Sequence, residues 1–307
     1  MNRDRLAVGV DLGGTSLRVG LVPGDGRLLA RDKVPTPPEG ADAVLERIAG
    51  LVRDVADERW GEVAAVGVGI PAAVAPDTGA AALVPNVPGL EGRRVAEALA
   101  SRLRRPVHAD NDVALAVVGE RWCGAAVGHD DVVLLSLGTG AGAGIVSGGR
   151  LVTGHRGAAG EIADLPLPGP VAQRDGTWFE AAVGTPALRR RAAEAGPWDG
   201  APALLDAVGR GDAAAARVLD AWAGDVALAA MTLVAVLDPS LLVLGGGIGR
   251  RPEVVEAVTG ALGRLTSRAP EVVAGTLGDW AGVVGAASQA VPSASAAGDA
   301  AGRQEHV

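Results

Sequence analysis

Cysteine is almost absent from this sequence. The 307 residues contain one, Cys123, which excludes an internal disulfide and any zinc cluster built from several cysteines. Aromatic residues make up 2% of the chain, with one phenylalanine and no tyrosine, too few for the base-stacking platforms of single-strand binders. The formal net charge is −8, whereas nucleic-acid-binding proteins are usually basic. We therefore expect no nucleic-acid partner.

Long apolar runs are also missing, since no uninterrupted run reaches the length of a membrane span. The start, MNRDRLAVGVDLGG, lacks the apolar region and cleavage site of a signal peptide. Hydrophobic residues make up 48% and charged residues 21%, which is typical of a globular chain. We expect a cytoplasmic protein without a membrane partner, built from two modest domains or one large one.

A pattern of short strands and glycine turns occurs twice. Three strands are predicted near the start, and three more follow in the second half: Leu6–Val10, Leu17–Val22 and Leu28–Val34, then Val132–Leu137, Ala143–Val146 and a strand beginning at Leu151. The stretches VDLGGT…GRLL and LSLGTG…GRLV align with a two-residue difference in spacing. Glycine hairpins are common, but this matched pair favours an internal duplication over coincidence.

Apolar periodicity places helices between and after these meanders, including Arg93–Leu103, Val113–Arg121 and Leu219–Leu237. Further strands are predicted at Val63–Ile70, Pro106–Ala109 and Leu241–Leu244. The mixture indicates an α/β fold with two related domains. The tail from Pro292 contains almost no apolar residue that could pack, so we expect residues 292–307 to be disordered.

Three glycine turns are candidates for binding phosphate, because successive backbone N–H groups can cradle an anion. Each turn alone is a weak signal, but three in one chain, two of them duplicated, favour a nucleotide site. The sequence lacks the P-loop pattern, and its last turn does not open a dinucleotide-binding unit. The candidates are Asp11, Gly13, Gly14 and Thr15; Gly138, Thr139 and Gly140; and Gly245, Gly246 and Gly247.

Taken together, six motifs resemble those of ROK-family sugar kinases of the glucokinase-like kind, within the actin, sugar kinase and heat-shock chaperone superfamily. In chain order they are VGVDLGGTSLRVGLV, PNVPGL, HADNDVALAVVGE, LSLGTGAGAGIVSGGRLVTG, GAAGEI and LVLGGGIG. The resemblance spans about residues 6–290. It implies two duplicated actin-like (ribonuclease H-like) domains, each a mixed sheet flanked by helices, with the active-site cleft between them.

The resemblance further implies an ATP-dependent hexose kinase that uses Mg²⁺ and phosphorylates the 6-hydroxyl, and it is compatible with a homodimer. We expect residues 1–112 with 283–291 to form a small N-terminal domain, and residues 113–282 to form the large C-terminal domain. Regulators in the family carry a DNA-binding segment before the kinase-like part. Here the first motif begins a few residues after Met1, so we favour an enzyme over a repressor.

By this resemblance, Asp112 would be the catalytic base and Asn111 and Asn86 would contact the sugar. From position alone Asp112 is equally well explained as a helix N-cap, and Asn86 as a turn residue before Pro88. By the resemblance Asp11 would act at the magnesium ion through water; a turn-starting residue is the alternative. The family often has lysine where this chain has Ser16.

The loop between Ala158 and Glu180 departs from the family pattern. There, GEIGH and a cysteine cluster bind a structural zinc, whereas this chain has Asp164 at the histidine position and none of the cysteines. We therefore expect no zinc, and we expect packing of Trp178 and Phe179 to hold the loop. By resemblance Glu161 and Glu180 would bind the sugar; solvated surface carboxylates are the alternative.

Asp164 adds a third carboxylate beside Glu161 and Glu180. Crowded carboxylates raise one another's pKa, and a cationic partner would relieve this repulsion. The sequence therefore suggests a substrate with a free amine, such as glucosamine or kanosamine. Alternatively, Asp164 turns outward or pairs with an arginine, and the substrate is glucose. A sugar-binding protein that has lost catalysis is a further alternative, which Asp112 and the glycine turns disfavour.

Overall fold

The computed structural model describes residues 5–84, 87–163, 165 and 178–290, without the side chain of Trp178. Two predicted sugar contacts, Asn86 and Asp164, and the predicted tail 292–307 lie outside the described residues. The strands are β1 (Leu6–Leu12), β2 (Ser16–Val22), β3 (Ala30–Pro35), β4 (Val63–Ile70), β5 (Ala73–Val74), β6 (Ala81–Ala82), β7 (Val107–Asn111), β8 (Val132–Leu137), β9 (Ala141–Ser147), β10 (Arg150–Leu151), β11 (Leu241–Gly245) and β12 (Glu271–Ala274). The α-helices are α1 (Ala41–Ala56), α2 (Val95–Leu103), α3 (Asp112–Cys123), α4 (Trp178–Val183), α5 (Thr185–Ala195), α6 (Gly200–Gly209), α7 (Ala213–Leu237), α8 (Gly246–Gly249), α9 (Pro252–Leu265) and α10 (Ala281–Ala290).

The chain divides into two compact units. Unit 1 contains Met1–Cys123, Gly154–Ala158 and Trp280–Val307, and unit 2 contains Gly124–Thr153 and Ala159–Asp279. The sequence-based boundary after residue 112 falls within the first turn of α3, and all of α3 belongs to unit 1. The physical reason is a close helix pair: a Cβ at Gly285 of α10 would lie 1.7 Å from the Leu115 carbonyl oxygen of α3.

Unit 1 is built on a five-stranded sheet of order β3-β2-β1-β4-β7. The first three strands form an antiparallel meander, and β1, β4 and β7 run parallel. Helix α10 lies against β1 and β4 so closely that only glycine fits: a Cβ at Gly9 or Gly67 would lie 1.8 Å from a carbonyl oxygen of α10. Apolar residues of α1 and α2 form one continuous core with the sheet.

Unit 2 repeats the same topology, with a sheet of order β10-β9-β8-β11-β12. Its meander is antiparallel, and β8, β11 and β12 run parallel. Two sheets of identical strand order in one chain confirm the duplicated α/β fold predicted from the two glycine-turn meanders. The repeat is visible in sequence because strand alternation and turn glycines are local features.

The core of unit 2 lies between this sheet and helices α4 to α9. Phe179 and Trp222 are fully buried there, and the Trp222 indole Nε1 donates a hydrogen bond to the Val183 carbonyl oxygen at 3.1 Å. Packing of Phe179 therefore agrees with the prediction for the loop end. By length and composition alone, helix α7 could cross a membrane. It is, however, a core helix of unit 2, and half of its most apolar 18-residue stretch is buried.

Several elements were not predicted from the sequence: strands β5, β6 and β12 and helices α4, α5, α6 and α8. Helix α5 has three consecutive arginines, Arg189 to Arg191, which weaken its apolar stripe. Strand β12 has four residues and begins with Glu271, so it lacks the long apolar run of the other parallel strands. Tertiary packing overrides such weak local signals.

Candidate functional site

In unit 1 the candidate residues gather at one edge of the sheet. Strands β1, β4 and β7 are parallel, so their carboxyl ends meet at the same edge, where ligands of open α/β sheets usually bind. Asp11 lies near the end of β1, Asn111 ends β7, and Asp112 begins α3. On β4, Gly69 leaves room for this junction, since a Cβ there would lie 3.2 Å from the Asp112 Cα. The structure thus brings the predicted base and the first glycine turn to one edge.

The first glycine turn is fixed by hydrogen bonds of its own backbone. The Gly13 N–H donates to the Ser16 carbonyl oxygen at 2.9 Å, and the Thr36 hydroxyl donates to the Gly13 carbonyl oxygen at 2.7 Å. The Thr36 N–H also donates to the Thr15 carbonyl oxygen at 3.2 Å. Both ends of the turn are therefore held by Thr36, the residue that follows β3, which preorganises the backbone N–H groups that remain.

Asp11 forms a cross-strand ion pair that the sequence reading missed. Arg18 lies opposite Asp11 on β2, and its Nη1 donates to Asp11 Oδ2 at 3.1 Å, with both side chains largely buried. Gly282, in the first turn of α10, leaves space for the Asp11 carboxylate, since a Cβ there would lie 3.1 Å from Asp11 Oδ1. The Asp11 carboxylate therefore lies between the Arg18 guanidinium and the N-terminal turn of α10. Arg18 also supplies a cation two residues after Ser16, where the family often has lysine.

The junction of β7 and α3 shows which residue caps the helix. The sequence left Asp112 open between helix N-cap and catalytic base. Asn111 caps the helix: its Oδ1 accepts hydrogen bonds from the N–H groups of Val113 at 2.9 Å and Ala114 at 3.0 Å. Asp112 is the first residue of α3, half-buried, with its Oδ1 also 2.9 Å from the Val113 nitrogen. The cap is therefore Asn111, which was predicted to contact the sugar.

Removing this cap is expected to destabilise the protein without unfolding it. Asn111→Ala should lower the free energy of unfolding by about 1 kcal/mol, because two helix N–H groups lose their acceptor, whereas Asn111→Asp should retain it. Urea unfolding of both variants measures the difference. Asp212→Ala is the matched control, since Asp212 caps α7 through Ala214 and Ala215 and should lose a similar amount. Equal stability of Asn111→Ala and the wild type would contradict the assignment.

Asp110, directly before Asn111, is one of two buried charged residues among those the structure describes. Burial raises the pKa of its carboxyl group, although its Oδ1 accepts the Asn111 N–H at 2.8 Å and His108 Nε2 lies 3.9 Å from its Oδ2. Sequence reasoning gave Asp110 no role. The available signal was a carboxylate near the carboxyl end of a predicted strand, the part of an α/β sheet where ligands usually bind.

In unit 2 the second and third glycine turns lie side by side at the ends of β8 and β11. The two strands are parallel neighbours, with Gly245 opposite Ser136. Gly246 has φ 79°, and a Cβ there would lie 2.3 Å from the carbonyl oxygen of Leu137, the residue before the GTG turn. Positive φ and this close approach both require glycine. The helix that follows the third turn directly, α8, has only four residues, and α9 begins at Pro252.

The two ends of the Ala158–Glu180 loop meet at one carbonyl group. The Ala163 carbonyl oxygen accepts hydrogen bonds from the N–H groups of Phe179 at 3.0 Å and Glu180 at 3.2 Å. Glu161, two residues before Ala163, is exposed, and Glu180 is half-buried. Glu180 Oε2 accepts the Ala141 N–H at 3.0 Å, directly after the GTG turn. The backbone of Glu180 thus meets the chain two residues after Glu161, and the Glu180 carboxylate also contacts the end of the GTG turn.

Among the residues that the structure describes, no group of three or more His, Cys, Asp or Glu side chains could hold a metal ion. Asp164, at the family's zinc-ligand position, lies outside that part of the chain. Cys123 is half-buried in unit 1, and burial raises the pKa of its thiol. The absence of zinc therefore remains a prediction from sequence.

Compared with protein-family models, the chain matches the ROK family over residues 7–291. The chain belongs to the ROK family. A glucokinase of Thermotoga maritima is 34% identical over 306 residues, covering 92% of this chain and 96% of the relative. An N-acetyl-D-glucosamine kinase of Escherichia coli is 28% identical over 303 residues, covering 91% and 97%.

Among solved structures, a ROK family glucokinase of Streptomyces griseus in complex with glucose and AMPPNP matches with a TM-score of 0.81 and 30% identity. The match covers 93% of this chain and 99% of that one. The ROK-family match includes both sheets and all three glycine turns of the chain, so the resemblance inferred from six motifs is confirmed.

Proposed function

We propose that this ROK-family protein is an ATP-dependent sugar kinase that transfers the γ-phosphoryl group to the 6-hydroxyl of a hexose. The observation that carries the proposal is the edge of the unit 1 sheet, where Asp112 stands at the start of α3 beside the turn that follows Asp11. The names of the Thermotoga and Streptomyces relatives support a sugar kinase.

In the proposed reaction Asp112 is the catalytic base. The sugar 6-oxygen attacks the γ-phosphorus, the bond from that phosphorus to the bridging oxygen breaks, and ADP leaves with the electron pair. Asp112 takes the hydroxyl proton. In a loose, metaphosphate-like transition state the proton is lost late, so the carboxylate mainly orients the nucleophile. Capping of α3 by Asn111 suits this role, because it holds the backbone of Asp112 in place.

The three glycine turns are the proposed ATP site, with Asp11 acting on Mg²⁺ through water. Mg²⁺ in kinases is held by one or two carboxylates together with substrate phosphates and water. A single carboxylate near the end of β1 is consistent with this coordination. The ion would neutralise charge on the transferring phosphoryl group. Arg18 holds Asp11 in one orientation through the 3.1 Å ion pair and offsets part of the negative charge.

The proposed sugar contacts are Asn86, Asn111, Glu161, Asp164 and Glu180. We propose an amino sugar, kanosamine or glucosamine, as the preferred substrate, because three carboxylates in one loop favour a cation. Glucose, the substrate class of the Thermotoga relative, is the alternative, with Asp164 replacing a lost zinc ligand. A non-catalytic sugar-binding or regulatory protein is the second alternative.

A coupled ADP-release assay with ATP and Mg²⁺ tests the proposal. It compares glucose, glucosamine, kanosamine, N-acetylglucosamine, N-acetylmannosamine and no sugar. We expect an amino sugar to have the highest kcat/KM, and Asp164→Asn, which removes only the charge, to lower that value without affecting glucose. Asp164→His provides the family's usual residue. If glucose has the highest kcat/KM, the kinase proposal is retained and the proposed preference for an amino sugar is wrong. If no sugar stimulates ADP release, the binding-protein alternative replaces it.

A further inference from the structure

The corner between helices α4 and α5 holds the GTG turn at both ends. At the first end, the Thr185 N–H and hydroxyl both donate to the Gly138 carbonyl oxygen, at 2.7 and 2.8 Å. At the other end, Glu180 Oε2 accepts the Ala141 N–H at 3.0 Å. Within the turn itself, Gly138 N–H donates to the Gly140 carbonyl oxygen at 3.0 Å. The corner therefore supplies three contacts from outside the turn.

The corner approaches the turn closely, through backbone at Gly184 and through the end of the Glu180 side chain at Gly140. A Cβ at Gly140 would lie 2.6 Å from Glu180 Oε2. A Cβ at Gly184, which joins the two helices, would lie 2.9 Å from the Thr139 carbonyl oxygen. Neither glycine has a positive φ, so close approach explains them. The turn and the corner are thus complementary surfaces.

The corner is itself anchored in the core of unit 2. The Val183 carbonyl oxygen, at the end of α4, accepts the hydrogen bond from the buried Trp222 indole at 3.1 Å. Phe179, on the same helix, is fully buried. Because the corner is fixed by core packing, its hydrogen bonds hold the turn in one conformation. Hydrogen bonds from a solvent-exposed loop would restrict the turn less.

We propose that Thr185 is a positioning residue for the nucleotide-binding turn; the inference rests on the proposed function of that turn. By fixing the Gly138 carbonyl group, Thr185 sets the orientation of the following peptide units, whose N–H groups are assigned to the ATP phosphates. Electrostatic catalysis depends on donors that are already oriented before the substrate arrives. Glu180 serves the same turn from the other end, so one carboxylate links the proposed sugar site to the phosphate site.

Thr185→Val tests the role of the hydroxyl, because valine keeps the branched shape and the backbone N–H. We expect KM for ATP to rise about fivefold, the effect of one lost hydrogen bond, with KM for the sugar within about twofold of wild type. Thr185→Ser retains the hydroxyl and should behave like the wild type. Thr259→Val is the matched control: its hydroxyl donates to the Val255 carbonyl oxygen of α9 at 2.7 Å, and its loss should leave both KM values unchanged.

A direct measurement of AMPPNP binding separates this inference from the proposed function. If the wild type binds AMPPNP but phosphorylates no sugar, the kinase proposal fails, and a weaker Kd in Thr185→Val still supports the positioning role. The inference is overturned if Thr185→Val binds AMPPNP as tightly as the wild type, if both KM values rise equally, or if the wild type does not bind the nucleotide. A thermal unfolding scan of each variant identifies a purely structural effect.

Discussion

Asp112→Asn is expected to lower kcat by a factor of about 10² to 10⁴, the usual contribution of a general base. The amide cannot take the proton of the attacking hydroxyl, but it has the size of the carboxylate and can still accept the Val113 N–H. The helix cap is provided by Asn111, so the variant should unfold at nearly the same urea concentration as the wild type. The ADP-release assay with the best sugar measures the loss.

Asp212→Asn is the matched control for this variant. Asp212 also stands at the start of a helix, α7, where it accepts the N–H groups of Ala214 and Ala215. Asparagine is as good a cap as aspartate, so neither kcat nor stability should change. Retention of kcat within threefold in Asp112→Asn would rule out Asp112 as the base, and the carboxylate of Asp110 would then be examined by the same substitution.

Gly67→Ala is expected to destabilise unit 1 by about 3 kcal/mol or more. The new Cβ would lie 1.8 Å from the Ala286 carbonyl oxygen and 2.3 Å from its carbonyl carbon. Both atoms belong to the backbone of α10, so the clash can be relieved only if the helix moves off the sheet. Because β4 is a central strand of the sheet, such a shift disturbs its packing. Urea unfolding measures the loss.

Gly50→Ala is the opposite control. Gly50 lies in the interior of α1, and a Cβ there would meet no atom within 4 Å. Alanine should therefore stabilise the protein by up to about 1 kcal/mol, since it has a higher helix propensity than glycine. If Gly67→Ala were as stable as the wild type, the close packing of α10 on β4 would be wrong.

Much of the fold could be predicted because the signals are local. Strands Val63–Ile70 and Val132–Leu137 were predicted with the bounds that the structure gives to β4 and β8. Both are apolar runs bounded by polar or glycine-containing segments, a pattern that depends only on neighbouring residues. The repeated meanders and the family resemblance rest on the same kind of local pattern.

Other assignments depended on partners far along the chain. Position alone left Asp112 undecided between a helix N-cap and a catalytic base. The structure gives the cap of α3 to Asn111, through the geometry of the β7–α3 junction. Periodicity also could not assign α3 to unit 1, because that depends on the glycine contact with α10. A contact between segments that are distant in sequence does not change the hydrophobic periodicity of either segment, so the periodicity cannot reveal it.

By itself, the sequence determined the duplicated α/β architecture, the three glycine turns and membership in the ROK family. Tertiary structure alone decided which side chains hold those turns. Thr185 reaches the Gly138 carbonyl group across 47 residues, and Arg18 reaches Asp11 because strand pairing places them opposite each other. The physical reason is that turns and strands form from short-range preferences, whereas the fixed orientation of a binding turn depends on close packing between segments that meet only after folding.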